Sequence, residues 1–179
     1  MSILVSAYTQ LFSGGDAATN SGGGSGGSII LDGDTVSVSG AITANGGNGN
    51  SGFGGGGAGG IVAIYFENDE IGGTITAYGG TGVEAGGCGP VFKQQADDIL
   101  PVTSVEFSNN NQGSSAMCLL PIDSDTYTMS INSIVVHDNS QFGLDERSNS
   151  QARVTTEVSS ITSHSADAQL RVGNRVSFC

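Results

Sequence analysis

Thirty glycines in 179 residues, no tryptophan and charged side chains at only 12% fit neither an ordinary enzyme nor a disordered tail, because apolar residues still make up 37%. The 17 acidic residues against 5 Lys and Arg give a net charge of −12, which excludes a nucleic-acid partner and disfavours anionic membrane surfaces. Collagen is excluded too, since the glycines follow no three-residue period and only three prolines accompany them.

The chain opens on MSILVSAYTQLF (1–12), which is apolar but has no basic leader and no small-residue cleavage site. It is too short to span a bilayer, so it reads as a first strand and no membrane insertion is expected. From Gly22 to Gly49 dense glycine alternates with SIILDG, TVSVSG and AITANGG. In these pieces Ile29/Leu31, Val36/Val38 and Ile42/Ala44 recur with period two, the spacing of one strand face. Shifted by 33 residues, the stretch matches Gly55–Gly82 without a gap, so Leu31 falls on Ile64, Ile42 on Ile75 and Ile29 on Val62. A third copy opens at Gly86–Phe92 and then decays.

A strand unit that repeats at this length cannot bury its apolar face alone, but stacked units can. The expected fold is all-β, a right-handed parallel β-helix, with a β-sandwich as the alternative. Leu31 over Ile64 and Ile42 over Ile75 are the expected core ladders. Glycine is expected at the corners of the coil, where φ > 0 suits it, with Gly46, Gly47, Gly79 and Gly80 as equivalent corner positions. Runs such as GFGGGGAGG (52–60) offer a second use, the close approach of extended backbones.

Residues 1–99 form the glycine-rich rungs, and 100–179 continue the same domain with looser ones. There Ile131/Val158, Ser133/Ser160, Ile134/Ile161 and His137/His164 lie 27 apart, and one insertion brings Phe142 onto Leu170. Between the two repeats, 93–125 is irregular and reads as an elaborated rung or a lateral loop.

Cys88, Cys118 and Cys179 are the disulfide candidates. No Cys/His spacing points to zinc, and one intrachain bond would leave one cysteine over, most simply the terminal Cys179. Low Lys with abundant Ser, Thr, Asn and Gly points to an extracellular or cell-surface setting.

Segments such as GGGSGGSI, GAITANGG and GGGGAGGIVAIYF resemble the glycine-rich repeats of large extracellular, adhesin-like proteins. That resemblance implies a parallel β-helix and a structural or adhesive role, and it carries no catalytic residue. Other β-helices cleave carbohydrate with paired acids, but here Asp97-Asp98 is the only adjacent Asp pair and the accompanying motifs are absent. The chain is therefore expected not to be an enzyme, with no catalytic, cofactor or metal residue assigned. Ca²⁺ is a minor candidate, through Asp34 over Glu67, because GGNGNSGFG and GGTGVEAGG have the glycines of calcium repeat loops without their aspartates. The expected partner is self, in a homo-oligomer or head-to-tail filament, with surface glycans second. A carbohydrate-binding or carbohydrate-cleaving β-helix is the alternative function, favoured by any aromatic-lined groove beside clustered acids.

Overall fold

The computed structural model describes residues 1–5, 8–10, 13–50, 52–96, 101–112, 118–122, 126–137, 140–146, 153–163 and 169–171, and their regular structure is all strand. The chain coils as a parallel β-helix. Strands β1 (Ser2–Val5), β3 (Ser28–Val38), β5 (Ile61–Ile71) and β7 (Val91–Gln95) stack in parallel, and β2 (Tyr8–Gln10), β4 (Ala41–Thr43) and β6 (Thr74–Thr76) stack beside them. The sandwich alternative falls with this parallel register.

Both expected ladders are in place: Leu31 pairs with Ile64 and Ile42 with Ile75. Ile42 and Ile64 are fully buried, while Leu31 and Ile75 pack against that core part-exposed. The 33-residue step also extends one rung back, setting Ile3 beside Val36 and Tyr8 beside Ala41. That copy carries almost no glycine signature. In β3 the inward residues are Ile29 and Leu31, then Val36 and Val38. The change of parity at Gly33-Asp34 bends the strand round a corner, so that both of its arms face one core.

The glycines do something other than turn corners. The backbones of Gly46, Gly47, Gly79 and Gly80 all lie outside the left-handed region, so the expectation of φ > 0 there does not hold. Among the described residues, those with positive φ other than glycine are Asn20, Asn110 and Asn111. Instead the glycine segments form a bundle of extended chains. Hydrogen bonds to the next rung recur every three residues: Gly23 and Gly26 donate to Gly55 and Ala58, and Gly46 and Gly49 to Tyr78 and Thr81. Lateral bonds run in another direction with the same step, from Gly57 to Gly47 and from Gly60 to Ala44. A β pleat repeats every two residues; a three-residue step belongs to polyproline-II-like chains. Such packing leaves no room for a side chain. A Cβ on Gly57 would lie 2.0 Å from the carbonyl oxygen of Gly24, and one on Gly80 would lie 1.9 Å from that of Gly47.

The irregular stretch holds the main departure from a simple coil. β7 pairs antiparallel with β8 (Val102–Phe107), after which β8, β10 (Thr126–Val136) and β12 (Arg153–Ser163) run parallel to one another. The register Ile131–Val158, Ser133–Ser160 and Ile134–Ile161 is the one that the 27-residue echo requires. β9 (Cys118–Ile122), β11 (Gln141–Glu146) and β13 (Gln169–Arg171) form the companion sheet, with Phe142 beside Leu170.

At the reversal the core changes sides. Paired residues share a face of the sheet, and Val62 pairs with Val91, which pairs with Glu106. On the other face Ala63 pairs with Phe92, which pairs with the fully buried Val105. Val91 therefore belongs to the first core and its neighbour Phe92 packs on the second, with Phe107, Ile131, Ile134 and Val136. Reversing both the strand direction and the buried face amounts to a half-turn about the coil axis, which leaves the handedness of the coil unchanged.

A disulfide ties the two sections together. Cys88, beside the third glycine segment, bonds Cys118 of β9, with both residues buried. Cys179 and His164 lie outside the described residues.

Candidate functional site

The corner that bends β3 also opens a groove. On the outward face, the register sets Asp32 beside Tyr65 and Tyr65 beside Gln94, three rungs deep. Asp34, Glu67 and Pro101 complete a groove of about 390 Å³. Tyr65 is half-buried, its ring centroid 5.7 Å from that of Phe92 at an angle of 53°, so its orientation is fixed by a tilted aromatic pair.

The groove's charge is acidic, but its carboxylates differ. Asp34 accepts a hydrogen bond from the Met1 ammonium, and that bond with the ammonium's charge holds its carboxyl below the ordinary carboxylate value. Asp32 is exposed, and Gln95, on the sheet face opposite Gln94, donates through Nε2 to the Glu67 carbonyl at 3.1 Å. Chemically this is an aromatic surface beside carboxylate acceptors and a side-chain amide that both donates and accepts. Such a set suits a polyhydroxylated ligand.

Asp34 and Glu67 fall on one ladder, as the register between Gly33–Phe66 and Thr35–Asn68 implies. Among the described residues no three His, Cys, Asp or Glu side chains gather into a metal site. Asp97 and Asp98 lie outside the described residues.

A second polar group marks where the first core ends. Lys93 continues the Leu31–Ile64 ladder as its third member, and its Nζ lies 3.3 Å from Glu106 Oε1. His137 Nε2 stands 3.9 Å from the other oxygen of Glu106. These charges occupy the sheet face that carries the apolar core one rung earlier.

Tyr65, Gln94, Lys93 and Glu106 were not among the residues singled out from the sequence. The 33-residue step alone puts Asp32 over Tyr65. Gln94 needs the shorter, 29-residue step of the third rung, which the decaying glycine pattern conceals. No helix among the described residues is long and apolar enough to cross a membrane. Compared with known proteins, the chain matches no family, no curated protein and no solved structure.

Proposed function

We propose that the protein is an extracellular structural and adhesive β-solenoid module, acting through its surface and through stacking rather than through turnover. The observation that carries this reading is the stapled coil. The parallel register of β3 on β5 and of β4 on β6 holds a lateral face, and the Cys88–Cys118 bond joins the two sections as expected of a chain folded under oxidising conditions. Non-reducing peptide mapping of the protein from its own cells tests it: the Cys88–Cys118 peptide pair is expected in the surface or secreted fraction. Free thiols at both positions in a cytosolic pool would overturn it.

The groove favours a second reading, glycan binding, as the form that adhesion takes. An aromatic ring packs on the C–H face of a sugar while Asp32 and Gln94 bond its hydroxyls. Screening the full chain against immobilised glycans is expected to give hits that Tyr65→Ala abolishes. Hits unchanged by that substitution would place the binding elsewhere.

A further inference from the structure

The glycine bundle has a direction, and its two ends differ. In the bonds between rungs described above, the N–H belongs to the earlier rung and the carbonyl to the later one: Gly14 to Asn45, Gly23 to Gly55, Gly46 to Tyr78 and Gly56 to Glu84. The later end is closed. Asn109, buried, accepts from Gly79 N through Oδ1 at 2.8 Å and donates through Nδ2 to the Gly86 carbonyl at 3.0 Å, standing where another rung would be.

The earlier end is open. The carbonyls of Gly22 and Ser25 stand one repeat before those of Gly55 and Ala58, and among the described residues no backbone N–H reaches them. Two columns of glycine tell the same story. A Cβ on Gly80 would strike the carbonyl of Gly47, and one on Gly47 would lie 2.1 Å from that of Gly15. Gly15, next in the column, would meet nothing within 4 Å. In the second column, Gly86 is blocked by Gly57 and Gly57 by Gly24, while Gly24 has nothing closer than 3.3 Å. Gly47, Gly57, Gly80 and Gly86 are buried; Gly15 and Gly24 are exposed. Among the described residues the missing Cβ of Gly15 thus serves no contact, although its column equivalents have no room for one.

We infer that this end of the bundle is a docking surface for one further glycine-rich pair of antiparallel extended segments, of the chemistry of residues 44–60. This rests on the reading of the chain as a stacking scaffold and specifies the partner. The docked pair donates N–H groups to Gly22 and Ser25 and seats its own carbonyls over Gly15 and Gly24, as residues 13–27 sit on 44–60 within the chain. It must carry glycine at its lateral contacts, since a Cβ on Gly46 or Gly56 would lie about 2 Å from a neighbouring carbonyl oxygen. A second copy does not supply the surface required, because Asn109 occupies its donor end.

A fluorescent synthetic peptide with the sequence of residues 44–60 is the probe, titrated onto the full oxidised chain. Saturable binding is expected, weakened about tenfold or more by Gly15→Val in the protein. The substitution itself is expected to leave the melting temperature within about 2 °C, since its Cβ enters open space. A control peptide with alanine at the positions of Gly56 and Gly59 is expected not to bind. Absence of saturable binding below about 1 mM, or equal binding to the Gly15→Val protein, overturns the inference. Neither result bears on where the Cys88–Cys118 pair is found, so the two readings fail separately.

Discussion

The two sections of the coil reach the same architecture by opposite means. From 13 to 96, half of each rung is a side-chain ladder and the other half is backbone packed on backbone; from 101 to 171, side chains such as Val105, Phe107 and Ile134 fill the second core. The glycine half of the first section is intolerant of added atoms, and the side-chain cores of removed ones. In a side-chain core a methyl group can be accommodated by a shift in rotamer, but two main chains held by hydrogen bonds have no such freedom.

Substitutions that break this contrast should differ in size. Gly57→Ala, the addition of one methyl group against the Gly24 carbonyl, is expected to cost more than about 3 kcal/mol, at or beyond the usual range for overpacking. Urea unfolding would show it, and a loss below about 1 kcal/mol would mean the bundle breathes. Removing the bridge with Cys88→Ser and Cys118→Ser should cost about 3–4 kcal/mol for a separation of 30 residues, read by the same titration. Ile134→Ala in the second core should cost about 2–4 kcal/mol, whereas Ile134→Val should cost about 1, a graded response the glycine bundle cannot give.

Asn109→Ala sharpens the comparison at the boundary. It leaves Gly79 N and the Gly86 carbonyl without their partner, for about 1–3 kcal/mol, and amide exchange should quicken first at Gly79. The smallest effect belongs to Asp34. Its folded carboxyl is held below its ordinary value, so its contribution is present above that value and fades as pH falls through the lowered one. Full exposure and salt screening make it slight. Asp34→Asn should lower stability slightly at neutral pH, flatten the acid limb of a stability–pH curve and change nothing below the lowered value.

Much of the first section is legible in the sequence, because stacked rungs must keep apolar residues in register and the glycines mark that register twice. Ile42 over Ile75 and Leu31 over Ile64 follow from counting alone. The purpose of Gly46 and Gly79 does not, since a positive φ and a missing Cβ both select glycine and leave the same letter. The reversal between β7 and β8 was hidden for a different reason. Strand alternation shows that Val91 and Phe92 face opposite ways, but not that both faces are buried, each by a different part of the chain. The groove depends on that same neighbourhood, where the repeat shortens by four residues and brings Gln94 beside Tyr65. Asn109 had no pattern to announce it, since any short polar residue in that stretch reads as a turn.

The backbone-packed bundle also has a thermal consequence. Removing apolar surface from water gives folding its large heat-capacity change, while burying peptide groups contributes with the opposite sign. The glycine bundle, which hides much main chain and little hydrocarbon, should therefore contribute a shallow stability curve. Cooling weakens apolar burial, and with it the driving force of an ordinary core. It leaves the hydrogen-bonded glycine segments largely untouched, so in the cold the glycine bundle should hold at least as firmly as the side-chain cores.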